Sequence, residues 1–281
     1  MTAISIHVGV NRVSAAHYGS EQPLKGAVAD AQAMKAIADA NGFSSTLILN
    51  EQATVREVSG AINAAAARLG SGDTFFLSYA GHGSQLFDAS GDEPDSLDET
   101  TCLYDRMLLD DELHGLWLSF ETGVRVLFIT DSCHSASASR VREAIPVSEY
   151  DDPSLIAIPY PPPEDLAFRA LDRDVARAVF RGNADRYAEA DALSSGHSSR
   201  TPRCSLLHLA ACQDNQLAAD GAANGYFTQQ LLHHWQGGSF TGTYDDLFRV
   251  IERAMPSRQK PGRRTDGEPV AAFLSGRPFS T

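Results

Sequence analysis

The stretch FFLSYAGHGSQ, residues 75–85, runs as a dense apolar segment into a histidine held between two glycines. A short apolar run bounded by turn formers reads as a strand buried on both faces, the kind found inside a parallel sheet. Its end on Gly81-His82-Gly83 sets a titratable side chain where the sheet stops. In open parallel sheets functional groups gather just beyond the carboxyl ends of the strands. The stretch therefore predicts an α/β fold and a site at one edge of it.

Outward from this strand, β and α patterns alternate. ISIHVGV (4–10), STLILN (45–50), VRVLFIT (124–130) and SLLHLAA (205–211) read as further buried strands, and PVAAFLS (269–275) as the last one. Val28, Ala31, Met34 and Ile37/Ala38 recur at helical spacing and stop at Asn41-Gly42, and Thr54 with Glu57 makes a capping box for a helix to about Leu69. More helices are predicted over 111–121, 225–236 and 243–255, with Phe227, Leu231 and Trp235 on an inward face. Such alternation implies a mostly parallel sheet with helices on both faces. Residues 86–111 are acidic and turn-rich. From 135 to 203 the signal weakens at IPYPPPE, and the segment reads as a connector or insertion with a helix over 164–181.

Composition narrows the function. A formal net charge of -13 argues against nonspecific nucleic-acid binding, which requires cations to neutralise phosphates. No apolar run approaches the ~20 residues of a membrane span, and MTAISIHVGV lacks the basic start of a signal peptide. The expectation is a cytoplasmic protein without a membrane partner. Cys102, Cys133, Cys204 and Cys212 form no CxxC pair, so reduced thiols are expected rather than a zinc knuckle or disulfide framework.

One of those thiols has a partner. VRVLFIT delivers TDSCHSAS, with Cys133 at its end, as the third strand delivers His82. A cysteine or histidine alone at such a place is more often a core residue. The two together, separated by about the spacing of a known cysteine-protease pattern, predict a nucleophile and its base. An ordinary thiol is mostly protonated at neutral pH, and an imidazole within reach can take its proton. The N–H groups of Gly83 and Cys133 are candidate donors for the oxyanion of a tetrahedral intermediate. His134 is a rival base, but it adjoins Cys133 and its side chain is expected to point elsewhere. The reading requires thiol and imidazole to meet at one peptide carbonyl and to be reachable from solvent.

YAGHGSQ (79–85) and DSCHSAS (131–137) resemble the two catalytic motifs of the metacaspases and their bacterial orthocaspase relatives. GVNRV (9–13), LKGAVADAQAM (24–34), GDEPDSLDE (91–99), LLDDELHG (108–115) and LAACQDNQLAADGAANGYFTQQLL (209–232) come in that family's order. The resemblance implies a caspase-hemoglobinase fold, a three-layer α/β/α sandwich. It implies one domain over 1–281, with a large-subunit-like part (1–134), a connector (135–203) and a small-subunit-like part (204–281). The implied activity is that of a cysteine endopeptidase with a Cys133–His82 dyad, acting on protein or peptide substrates with Arg or Lys at P1. Asp30 and Asp131 would line the P1 pocket, with Ala80 beside them. Paired carboxylates favour a buried cation, and arginine can use both oxygens of each. Ala27 and Ala80 depart from the Cys and Ser common in that pocket.

The same resemblance implies Ca²⁺ ligands at Asp98, Asp110 and Asp111, hard oxygen donors of the kind calcium prefers. Arg140 stands where a fourth aspartate is typical, which weakens such a site. Nine connector arginines, Arg140, Arg142, Arg169, Arg173, Arg177, Arg181, Arg186, Arg200 and Arg203, are candidates for self-cleavage. Members of the family resemble monomers, and a monomer is expected. A second reading keeps the fold without the chemistry, as a binding protein whose positions 27, 80 and 140 report lost catalysis. His233 and His234 are adjacent on a helix, so they read as a solvated face rather than a metal pair.

Overall fold

Buried side chains along the strands sort the core into two halves, one on each face of a central sheet. The computed structural model describes residues 1–87, 97–133, 149–162, 164, 166–197, 199–213 and 216–281. In chain order the elements are β1 (Ala3–Gly9), α1 (Ala15–Tyr18), α2 (Ala27–Ala40), β2 (Ser44–Leu49), α3 (Val55–Ala66), β3 (Thr74–Ala80), β4 (Gly83–Phe87), β5 (Leu97–Cys102), β6 (Met107–Leu109) and α4 (Asp110–Trp117). They continue with β7 (Arg125–Asp131), β8 (Ala167–Phe168), α5 (Arg173–Gly182), α6 (Ala184–Ser194), β9 (Ser205–Ala210), β10 (Ala219–Asp220), α7 (Tyr226–Trp235), α8 (Tyr244–Ala254), β11 (Gly262–Gly267) and α9 (Ala271–Leu274).

The central sheet has the order β11-β9-β7-β3-β1-β2, and all its pairings are parallel except that of β11 with β9. Successive residues of a strand face opposite sides. Phe75, Leu77, Tyr79, Val126 and Phe128 accordingly join one core with Val58 and Ile62 of α3 and Trp117 of α4. Phe76, Leu127 and Ile129 join the other with Met34 and Ile37 of α2, Phe227, Leu231 and Trp235 of α7 and Leu247 and Ile251 of α8. This is the three-layer α/β/α arrangement that the sequence resemblance implies. Thr54 caps α3 by accepting from the Glu57 N–H, and α2 stops at Asn41 with Gly42 at φ 85°.

Three expectations are corrected. PVAAFLS is not the last strand: its centre forms the short helix α9, and the edge is supplied by GRRTDG, whose side chains are exposed or half-buried. An edge strand held by backbone pairing alone carries no apolar alternation to reveal it. The acidic stretch after β3 contains an antiparallel meander, β4-β5-β6. In the connector, the helix expected over 164–181 begins only at Arg173, behind a short strand, and α6 comes after it. Segment 149–152 is tied to the C-terminal part by ion pairs Glu149–Arg258, Asp151–Lys260 and Asp152–Arg253.

Candidate active site

β3 and β7 are neighbours, and their last paired residues are Ala80 and Asp131. The chain beyond those ends therefore sets His82-Gly83 and Ser132-Cys133 side by side. Between them lies a third piece of chain that the sequence did not place there. The carbonyl oxygen of Arg169 accepts from the N–H of Gly83 at 2.9 Å and from the N–H of Cys133 at 3.1 Å. These are the two donors expected to hold an oxyanion, and they converge on one peptide carbonyl.

The side chain of the same residue fills the predicted acidic pocket. Arg169 is fully buried. Its Nη2 lies 2.6 Å from Asp30 Oδ2 and 2.9 Å from Asp220 Oδ1, and its Nη1 lies 3.1 Å from Asp131 Oδ1 and 2.9 Å from the Asp131 carbonyl. Nε donates to Asp220 Oδ1 at 3.2 Å. Every guanidinium nitrogen thus faces an oxygen. The carboxylates are themselves held: Asp131 Oδ2 accepts from the N–H and hydroxyl of Thr228, Asp30 from Asn224 Nδ2 and the Gly225 N–H, and Asp220 from the N–H groups of Lys25 and Gly26. Burial works to lower the Arg169 pKa, but Asp131, Asp30 and Asp220 outweigh it and hold the cation charged. Three carboxylates round one cation leave an excess of negative charge, and burial raises the Asp30 carboxyl to about 7 despite the opposing pull of Arg169.

His82 has its ring fixed by a backbone group. Nε2 lies 2.8 Å from the carbonyl oxygen of Gln22, which can only accept, so Nε2 carries the hydrogen. Nδ1 is buried without a hydrogen-bond partner and holds the lone pair of the neutral ring. Burial depresses its pKa to about 4, so the imidazole is neutral, with its lone pair on Nδ1. Gln22 reaches it from the left-handed region at φ 45°, which a non-glycine residue seldom occupies and which aims its carbonyl at the ring. The Tyr79 hydroxyl donates to the His82 carbonyl at 2.7 Å, and a Cβ on Gly81 would collide with that hydroxyl. Gly81 thus makes room for Tyr79.

Cys133 Sγ accepts from the Ala218 N–H at 2.7 Å, and Cys212, whose thiol pKa is raised by the nearby Cys133 and by burial, donates to the Ser132 carbonyl at 3.5 Å. No hydrogen bond joins the thiol to the His82 ring among the described residues. Both groups are closed to solvent, Cys133 at 0% exposure and His82 at 6%, which corrects the expectation of an open site. The segment 166–171 lies over them. β8 pairs antiparallel with β10, the Arg169 N–H donates to the Ala218 carbonyl, and the Leu171 N–H donates to the Gly83 carbonyl at 2.8 Å. An extended peptide added to a sheet edge with one side chain in a specificity pocket is how β-augmenting ligands bind.

A caspase domain family model matches residues 12–271. The chain belongs to the caspase domain family. Metacaspase-1 of Mycosarcoma maydis is 25% identical over 239 residues, 79% of this chain and 58% of the relative. Metacaspase-1A of Aspergillus oryzae is 42% identical over 71 residues, 24% of this chain and 17% of the relative. The chain thus spans little more than half the length of the first and matches a smaller part of the second. A crystal structure of a protein from Geobacter sulfurreducens is 40% identical with a TM-score of 0.85, covering 100% of this chain and 99% of that one. Caspase-1 from Spodoptera frugiperda, at 14% identity and a TM-score of 0.56 over 93% of this chain and 85% of that one, shares the fold. These matches show the family and the fold.

Against that family background, some residues of the site were out of reach of the sequence. Asp220 carries no local signal that separates it from other acidic loop residues. Gln22 acts through its backbone. Gly225 and Gly26 form walls of the pocket, since a Cβ on Gly225 would lie 2.7 Å from Arg169 Cζ and one on Gly26 2.9 Å from Arg169 Nη2. Arg169 was one of nine candidates; its mark is a lone cation inside the apolar run LAFRAL. Ala80 packs with Leu24 and Ala27 and offers the guanidinium no polar atom.

The calcium reading gains no geometry. Asp110 and Asp111 stand in the first turn of α4 and line a cavity of about 280 Å³ with Glu99, His208, Arg264 and Asp266. The side chain of Asp98 lies outside the described residues, as do Arg140, Arg142 and His134. Among the described residues no group of three or more His, Cys, Asp or Glu could hold a metal ion. Among them, too, no helix is long and apolar enough to cross a membrane.

Proposed function

We propose that the protein is an endopeptidase that cuts after arginine through a Cys133 thioester, and that its own Arg169–Ala170 bond is its first substrate. The observation that carries the reading is the Arg169 carbonyl lying on the N–H groups of Gly83 and Cys133 while its guanidinium lies among Asp30, Asp131 and Asp220. In the proposed reaction Cys133 Sγ leaves Ala218 N–H, gives its proton to His82 Nδ1 and attacks the carbonyl carbon of Arg169. The two N–H groups hold the oxyanion. When the C–N bond breaks, His82 delivers the proton to the nitrogen of Ala170. Water, deprotonated by the same ring, then hydrolyses the thioester and frees the thiol.

Arginine is favoured over lysine at P1 because the acceptors surround a plane. An ammonium is a compact point charge with three donors and cannot face all the oxygens that Nε, Nη1 and Nη2 meet. Calcium, carried over from the family resemblance through Asp98, Asp110 and Asp111, enters the proposal only as a regulator, and the chemistry uses no metal.

An arginine-based acyloxymethyl ketone tests the reading. Selective modification of Cys133, absent from Cys133→Ala, is the expected result. A protein left unlabelled after its connector has been opened by limited proteolysis is a binding protein rather than an enzyme.

A further inference from the structure

The segment over the site is Leu166-Ala167-Phe168-Arg169-Ala170-Leu171, and the P1 pocket alone does not explain its pattern. Leu166 is 6% exposed and belongs to the same core as Cys133, Leu217 and Ala218. Phe168, two residues on and therefore on the same face of the extended strand, packs against that core, as does Tyr160. Ala167 between them is half-buried and stands opposite Asp220 in the ladder. On the far side of the bond, Leu171 is fully buried in the other core and leads directly into α5, so it belongs to the scaffold.

Resting on the peptidase reading above, we propose that the groove is an extended substrate site that takes peptides of the form Leu-x-Phe-Arg: arginine at P1, an aromatic or bulky apolar residue at P2 and an aliphatic one at P4. Two apolar anchors on one face of the strand meet an apolar surface, and burial of each contributes to docking. Acidic residues at P2 and P3 are selected against, because the neighbouring pocket holds three carboxylates for one cation. The specificity is written in the chain itself, since residues 166–169 occupy the positions P4 to P1.

The full-length protein is assayed on three fluorogenic peptides, Leu-Ala-Phe-Arg, Leu-Ala-Asp-Arg and Asp-Ala-Phe-Arg. The first is expected to give kcat/KM at least tenfold above the other two. Equal values overturn the P2 and P4 assignment while leaving arginine at P1 intact. If none of the peptides is cut, the peptidase reading fails, and docking decides the subsites separately. In Cys133→Ala, where no self-cleavage can intervene, trypsin should reach Arg169 at least tenfold faster once Phe168→Asp is added. Unchanged protection in that double variant overturns the inference.

Discussion

The carbonyl oxygen of Arg169 accepts a hydrogen bond from the N–H of Cys133 at 3.1 Å. A residue of the connector is thereby held on the backbone group next to the candidate nucleophile, with its side chain in an acidic pocket built from elements remote in the chain. Asp30 comes from α2, Asp131 from the end of β7 and Asp220 from β10. The closed site is a consequence of this placement: the segment that carries the substrate-like residue also excludes water from His82 and Cys133.

Gly225 is the wall of the pocket that stands against both Asp131 and Arg169. Its φ of -60° is open to any residue, so alanine adds a methyl group and no backbone strain. That methyl would press on Asp131 Oδ2 and stand 2.7 Å from the guanidinium carbon of a bound arginine, displacing the carboxylate as well as the cation. Gly225→Ala is expected to fold with an unchanged circular-dichroism spectrum and to lose self-cleavage and cleavage of arginine peptides by more than tenfold. Full activity in Gly225→Ala contradicts the pocket.

Asp220 tests the arginine preference. It is the acceptor for both Nε and Nη2, so Asp220→Asn removes a charge from one side of the guanidinium plane. Loss of one partner from a fully buried ion pair costs roughly 3–5 kcal/mol at the upper end, enough for a fall of tenfold or more in kcat/KM on arginine peptides. Lysine peptides should suffer less, narrowing the Arg/Lys ratio. A ratio that stays fixed, measured as kcat/KM on matched peptides, speaks against Asp220 as a specificity residue.

The Asp30 carboxyl gives a pH dependence with a definite sign. Burial raises it to about 7 in the folded protein, above its unfolded value of about 3.9, so the folded state binds the proton more tightly. Its contribution to stability is fully present below about pH 4 and is lost as the pH rises to about 7. Asn at 30 does not titrate. In a Cys133→Ala background, the melting temperature of Asp30→Asn minus that of its parent should therefore become more positive from pH 4 to 7. His82, lowered by burial to about 4, titrates in the same window with the opposite sign, which is why the difference between variants is the quantity to measure. A flat or falling difference contradicts the raised Asp30 carboxyl.

Much of this site was legible in the sequence because the parallel sheet announces itself. FFLSYA and VRVLFIT are apolar on both faces, as strands covered by two helix layers must be, and the residues just past each of them therefore sit at a sheet edge. That alone brought His82 and Cys133 together, and acidic residues at 30 and 131 could be joined to them through the family motifs. Asp220, Gln22 and Gly225 were illegible for physical reasons: one gains its meaning from a tertiary neighbour, one offers a carbonyl that every residue possesses, and one matters for a methyl group it lacks. The edge strand β11 was missed because backbone pairing leaves no apolar imprint. Arg169 was visible as an arginine but not as the chosen one, since only the fold shows that it is buried while Arg173, Arg177, Arg181, Arg186, Arg200 and Arg203 are exposed.

Intact-mass and N-terminal fragment analysis of the purified wild-type chain beside Cys133→Ala tests the central claim most directly. The account predicts two wild-type fragments, one ending at Arg169 and one beginning at Ala170, and a Cys133→Ala chain that stays whole. A wild-type chain that remains whole with and without calcium, a cut at another arginine with Arg169–Ala170 untouched, or the same cut in Cys133→Ala would contradict it.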